Sequence, residues 1–318
     1  MAERLDPVIE ARGLTRYFGS FSAVETVDLD VGRGEVFGLL GANGAGKTTT
    51  IRMLCGTLAP SGGEVRVAGI DMVRHARHAR GRIGYVTQRF ALYGDLTVLE
   101  NLKLQAGLYG VRNDRVQARL AWALERLDLG RDQKARASQL PLGYQRRLAV
   151  AAALLHEPDV LFLDEPTSGT DPLARQEFWE LVYELSEGGM GVLVTTHYMD
   201  EALFCDRLAL MHGGRVIIEG TPEGLLARSL ATPMLELRAG ACTGWARWLA
   251  ARSDVREVVP RAGHLRLRLN AGIAVGPAIE GIRAEASSRG VVVDAIEPAA
   301  PQLEDVFVSV LEERGGGA

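Results

Sequence analysis

The run from Val36 to Thr50, VFGLLGANGAGKTTT, leaves few folds open. A short uncharged apolar segment feeds directly into a glycine-rich loop and then into residues that read as a helix. Uninterrupted VFGLL suits a strand buried on both faces, the habit of a parallel sheet. Strand, glycine loop and helix in that order is the context a phosphate-binding loop needs.

The loop's chemistry follows from its residues. A triphosphate carries several negative charges, so its site needs many donors at close range. Gly41, Gly44 and Gly46 let the backbone turn its N–H groups inward, and Lys47 brings a mobile positive charge to the β and γ phosphates. Thr48 is expected to offer its hydroxyl to Mg²⁺, and the helix over Lys47 to Leu58 begins where an anion is favoured. With Asn43, Ala45 and Thr49, these residues form the expected nucleotide-binding set.

The run LFLDEPTSGTDP, Leu161 to Pro172, supplies acidic groups that such a loop lacks. Asp164 ends an apolar strand and is expected to bind Mg²⁺ directly or through water. Glu165 is not spent on the metal and can accept a proton from an attacking water. Gln88, after the strand IGYVT, is placed to reach the metal or that water. His197, after VLVTT, is placed to hydrogen-bond the γ-phosphate, since open α/β sheets bind ligands at the carboxyl ends of their strands. Phe18 can stack on a purine or serve as one more core aromatic, with Tyr17 as a substitute.

Along the chain, strands are expected at Val8 to Leu14, Glu25 to Val31, Val36 to Leu40, Ile83 to Thr87, Val160 to Leu163 and Val192 to Thr195. Helices are expected at Val98 to Tyr109, Arg115 to Leu129, Tyr144 to Leu155 and Leu173 to Ser186. This pattern implies a largely parallel α/β sheet with a helical insertion between roughly residues 95 and 155. A strand pair at 207–219 follows. Residues 1–229 are expected as one nucleotide-binding domain and 230–318 as a small α+β domain. The latter is given strands at Leu235 to Arg238, His264 to Leu269 and Val291 to Ile296, and helices around Trp245 to Arg252, Pro277 to Ser288 and Leu303 to Leu311.

Composition removes other function classes. The 36 Lys plus Arg against 40 Asp plus Glu leave a formal charge of −4, which provides no global basic field for nucleic acid, and no stable nucleic-acid partner is expected. Cys55, Cys205 and Cys242 are too far apart for a metal knuckle and read as ordinary or buried thiols. No apolar stretch approaches the roughly 18 residues of a membrane helix, so any work at a membrane requires other subunits. Arg74, Arg77, Arg80 and Arg82, with His75 and His78, form a basic run that suits either a solvated helical face or anionic headgroups. The four tryptophans, Trp122, Trp179, Trp245 and Trp248, read as packing anchors.

Taken together, these motifs resemble the ATP-binding cassette ATPases, over roughly residues 5 to 225. Phe18 stands at that family's adenine-stacking position, GANGAGKT at its phosphate loop, Gln88 at its lid glutamine and LFLDEP at its metal and base segment. Ser168 to Asp171 stands at its dimer-communicating loop and His197 at its switch histidine. The resemblance implies Mg²⁺ and ATP as ligands, and a P-loop fold with a helical subdomain. It also implies a head-to-tail homodimer in which each nucleotide lies between one phosphate loop and the other copy's signature, with closure on ATP driving membrane-spanning partners.

The family's LSGGQ signature is replaced here by LPLGY, Leu140 to Tyr144. Pro141 removes a hydroxyl and a backbone N–H, Leu142 adds bulk, and Gly143 is retained with a helix N-terminus that can still face the γ-phosphate. Loss of one charge-assisted donor costs about 1.5–3 kcal/mol if nothing substitutes. The flanks, VTTHYMDEALFCDR, RVIIEGTPEGL and PQLEDVFVSVLEE, resemble the ATPase subunits of bacterial ABC-2-type exporters, especially the YbhF-like multidrug efflux branch. Members of that branch can carry two cassettes in one chain, whereas one phosphate loop here implies a homodimer.

That resemblance implies ATP hydrolysis to ADP and phosphate on the cytoplasmic face of a bacterial inner membrane. It further implies efflux of drugs or other hydrophobic compounds through ABC-2-type permease subunits, contacted near Phe90, Leu92 and Tyr93. The C-terminal domain is expected to stabilise the dimer or regulate it. The competing expectations are a cytosolic regulatory module and a nucleic-acid-associated ATPase of translation or repair, which usually shows paired cassettes or a long coiled-coil insertion.

Overall fold

A computed structural model describes residues 7–229, 232–239, 245–261 and 263–315. Two long strands, β1 (Pro7–Phe18) and β2 (Phe21–Gly32), form an antiparallel hairpin around Gly19. The all-buried β3 (Val36–Leu40) follows and leads through the glycine loop into α1 (Lys47–Leu54). The helix stops four residues short of the expected Leu58, where Gly56 takes a φ of 65°. Next come β4 (Gly62–Val67), β5 (Ile70–Asp71), α2 (Met72–Arg80) and β6 (Ile83–Val86).

The helical insertion holds α3 (Val98–Leu108), α4 (Asn113–Arg126) and α5 (Leu142–Leu154). At the start of α3 the Thr97 hydroxyl accepts from the Glu100 amide while the Glu100 carboxylate accepts from the Thr97 amide, a reciprocal capping box. The chain then returns to the sheet in β7 (Val160–Asp164), crosses by α6 (Pro172–Glu187) to β8 (Gly191–Thr196), and continues through α7 (Met199–Ala202), β9 (Arg207–His212), β10 (Arg215–Gly220) and α8 (Pro222–Ser229).

The central sheet runs β10-β9-β3-β8-β7-β6, all parallel except the antiparallel edge strand β10. Its strands read as continuous apolar runs because both faces are covered. Leu161 and Leu163 of β7 join the core under α3 to α6, while Val160 and Phe162 join the core shared with α1 and the antiparallel sheet β2-β1-β4-β5. Period-two alternation thus feeds two cores from one strand.

The chain divides into two compact units between Pro222 and Glu223, inside α8, whereas the sequence reading placed the boundary at 229/230. The second unit holds β11 (Met234–Ala239), α9 (Ala246–Ala250), β12 (Val255–Arg261), β13 (His264–Leu269), α10 (Val275–Ser288), β14 (Val293–Ala299) and α11 (Leu303–Gly315). Its first six elements follow the order βαββαβ, and the sheet order β12-β13-β11-β14 is that of the ferredoxin-like arrangement. Leu265, Leu267 and Leu269 enter the core with α9 and α10. The alternate residues Arg266 and Arg268 are also buried, and both donate to Asp305 of α11.

Several expected features are where composition put them. Trp179 is fully buried, and Trp245 lies in the second core with Trp248 packed against it. Cys55 and Cys205 are buried free thiols, and burial pushes both well above the usual thiol range; Cys242 lies outside the described residues. Of the basic run, Arg74, His75, Arg77, His78 and Arg80 are exposed on α2, and Arg82 is exposed in the turn that follows it.

Candidate active site

The carboxyl ends of β3, β6, β7 and β8 converge on the glycine loop, as expected for an open parallel sheet. Gly41 and Gly46 are irreplaceable on steric grounds. A Cβ at Gly41 would sit 2.3 Å from the Met211 carbonyl oxygen, and one at Gly46, whose φ is 107°, would sit 2.7 Å from that of Ala23. Lys47 is buried, and its Nζ donates to the carbonyls of Gly41 (2.7 Å) and Ala42 (3.2 Å) while lying 3.7 Å from Glu165 Oε1. Burial lowers the Lys47 pKa, and the Glu165 and Asp164 carboxylates oppose that shift.

Two successive carboxylates in a continuing strand would point to opposite faces. Here the chain bends immediately after Asp164, because Glu165 takes the left-handed conformation at φ 49°. Such a conformation costs a non-glycine residue about 1–3 kcal/mol and persists only where the surroundings over-determine it. The determinant is Thr195 at the end of β8. The Glu165 amide donates to both the carbonyl and the hydroxyl oxygen of Thr195 (3.1 Å each), and that hydroxyl donates to Asp164 Oδ1 (2.7 Å). Asp164 Oδ1 also accepts from the Thr48 hydroxyl (3.2 Å), so Asp164 meets the loop at Thr48 while Glu165 meets it at Lys47.

Gln88 Nε2 donates to Glu165 Oε2 (2.7 Å), and His197 Nδ1 stands 3.3 Å from the same oxygen without a hydrogen bond of its own. Glu165 is therefore approached by Lys47, Gln88 and His197 together. Phe18 lines the same pocket with Asn43, Gly44, Gly46, Lys47, Thr48, Thr49, Gln88 and Glu165. Phe18 is 47% exposed, so it is a surface aromatic rather than a core one. Tyr17 does not line the pocket. Ala45 is buried beneath the loop, its amide bonded to the Ala42 carbonyl.

Phe21 and Ala23, across the hairpin from Phe18, line the pocket and were missed in the sequence, as was Thr195. For the hairpin pair the signal was the two-residue turn GS, which brings Phe21 opposite Phe18. Gly143 is elsewhere in the chain: it lines a separate recess with Arg126, Arg147 and Thr170. Pro141 caps α5 without a side-chain hydrogen bond. Leu142, half exposed, packs beside Gly169 of the Ser168–Asp171 loop, a Cβ on which would lie 3.4 Å from it.

No cluster of three or more metal-ligating side chains occurs among the described residues. The Thr48 hydroxyl and Asp164 carboxylate, both hard oxygen donors, nevertheless fit Mg²⁺. That ion typically takes one or two protein ligands and completes its shell with water and phosphate.

The family model described as ABC transporter matches residues 24–168. Over 224 residues the chain is 48% identical to a probable multidrug ABC transporter ATP-binding protein, YbhF, of Escherichia coli. That match spans 70% of this chain and 39% of the relative, so the chain spans about two fifths of that relative's length. It is 42% identical over 233 residues to a Nod factor export ATP-binding protein I of Paraburkholderia xenovorans, covering 73% of this chain and 77% of that one. A daunorubicin resistance ATP-binding protein of Streptomyces coeruleorubidus is 44% identical, with coverage of 70% and 71%.

Among solved structures, an ATP-binding subunit of an ABC transporter superposes with a TM-score of 0.65 at 31% identity, over 70% of this chain and 92% of that one. A dimeric ATP-binding cassette in a post-hydrolysis state, bound to ADP and Pi, gives 0.62 at 27%, over 67% and 98%. Sequence identity across most of an export ATP-binding protein and a shared fold reach the same conclusion as the loop and its carboxylates: the chain belongs to the ABC transporter family, as an ATP-binding subunit.

Proposed function

We propose that the chain hydrolyses ATP as a head-to-tail homodimer and so drives export through separate ABC-2-type permease subunits at the cytoplasmic face of the membrane. The observation that carries this reading is Glu165, bent out of β7 at φ 49° and met there by Lys47, Gln88 and His197.

In this reading the loop amides and Lys47 receive the β and γ phosphates, and Phe18 stacks on the base. Thr48 and Asp164 would hold Mg²⁺, which supplies charge neutralisation along the phosphates. Glu165 takes the proton of the attacking water, with Gln88 keeping its second oxygen oriented, and His197 bonds the γ-phosphate. Gly143 of a second copy completes the site, because within one chain it lines a different recess from the loop.

Export as the direction is supported by what the relatives are named for: multidrug transport, Nod factor export and daunorubicin resistance. Drug-like or other hydrophobic compounds are the proposed cargo. No helix among the described residues is long and apolar enough to cross a membrane, so the pathway is assigned to the permease. Tyr93, 58% exposed beside the half-buried Phe90 and Leu92, is the proposed aromatic contact with it.

The test is ATP-driven movement of a fluorescent hydrophobic cargo in vesicles holding the chain and an ABC-2-type permease. Transport that requires Mg-ATP is expected; failure to associate with any such permease would contradict the reading.

A further inference from the structure

Gln88 lies in a segment without regular structure between β6 and α3, where the Thr87 hydroxyl donates to the Arg89 carbonyl across it (2.6 Å) but no helix or strand ladder fixes the direction of its own peptide groups. A side chain from α5 does so. Arg146 donates from its two terminal nitrogens to consecutive main-chain carbonyls, those of Thr87 (3.0 Å) and Gln88 (2.5 Å). A planar guanidinium fork that grips two successive carbonyls restrains both position and rotation, which a lone ammonium cannot do. From the restrained backbone the Gln88 amide reaches Glu165 Oε2 at 2.7 Å. Arg146, Gln88 and Glu165 therefore form one continuous chain of contacts, and Arg146 itself touches neither carboxylate.

Gly143 and Arg146 are three residues apart in the first turns of α5, and so lie on neighbouring positions of one helix face. We propose that Arg146 is a positioning residue for hydrolysis: it sets Gln88, through its main chain, so that the Gln88 amide holds Glu165 in line. Through the same residue, the helix end that carries Gly143 is tied to the base of its own chain's site. This rests on the head-to-tail ATPase reading.

A residue that merely fastens the helical insertion to the sheet would affect stability and every step alike. The distinguishing experiment is a double-variant cycle on the full chain with Mg-ATP, comparing wild type, Arg146→Met, Gln88→Ala and the pair. The readouts are kcat, KM, binding of a fluorescent ATP analogue and thermal melting. Arg146→Met is expected to lower kcat about 10- to 100-fold, the cost of a misplaced catalytic group, while KM and analogue binding stay within about twofold. In the Gln88→Ala background the same substitution is expected to cause no further loss, because its effect passes through Gln88.

Arg146→Lys, which keeps the charge without the fork, is expected to recover only part of the rate. Losses that add in the pair, or an unchanged kcat in Arg146→Met, overturn the proposal. If Arg146→Met melts far below wild type, the cycle is run with Arg146→Lys, where the same non-additivity is required. A wild-type dimer that binds Mg-ATP without hydrolysing it would overturn the functional reading instead, and is seen before any variant is made.

Discussion

A single hydroxyl serves both carboxylates of the site. Thr195 donates to Asp164 and accepts from the Glu165 amide, so Thr195→Val removes two contacts while preserving shape. The loss is expected to cost about 1–3 kcal/mol of stability and to lower turnover more than ATP binding, checked by urea unfolding and steady-state kinetics; unchanged kcat would mean that Glu165 is held by other means. Asp164 and Glu165 were legible because charge appears abruptly at the end of an apolar strand. Thr195 was not, since in VLVTT it reads as one more β-branched strand residue. Its role depends on the parallel register that sets Asp164 opposite Thr195, and a single sequence does not display register. Pro141 belongs to the same scale. Pro141→Ser gives α5 the side-chain cap it lacks and returns an amide and a hydroxyl, and a rise in turnover is expected in an ATPase assay. No rise would mean that the LPLGY form does not limit catalysis.

Elements were read well where burial imposes a long period and poorly where it does not. The strand at Val36–Leu40 has the expected bounds because five buried residues leave no other reading. β4 was missed because its GGEVRV begins with two glycines and alternates over only four residues. β12, VREVVPR, was missed because Pro260 cannot donate to a ladder; the sheet order explains the proline, since β12 is an edge strand. At the end of the second unit, the pairing of α11 with the sheet was invisible in the sequence, because Arg266 and Arg268 alternate with leucines and look solvent-facing. They are instead buried against Asp305. Breaking a buried pair by removing one partner costs about 3–5 kcal/mol, so Asp305→Ala is expected to release α11, measured as faster amide exchange over residues 303–311. Protection equal to wild type would show that apolar contacts of Leu303 and Val306 hold the helix by themselves.

At the scale of the whole molecule, one chain supplies the loop, both carboxylates, the glutamine and the histidine, and carries Gly143 in a recess apart from them. The proposed unit of function is therefore two copies, each lending its signature helix to the other's nucleotide, with ATP as the ligand proposed to favour the closed pair. Replacing Glu165 separates closure from chemistry, since glutamine keeps the shape and the contact with Lys47 but cannot accept the proton. The most direct test is Glu165→Gln in the full chain, with ATP hydrolysis and sedimentation followed in Mg-ATP. Turnover is expected to fall by about 10²–10⁴-fold, with ATP binding retained and the chain sedimenting as a dimer only when ATP is present. Hydrolysis at the wild-type rate would contradict Glu165 as the base, and with it the central claim about this site.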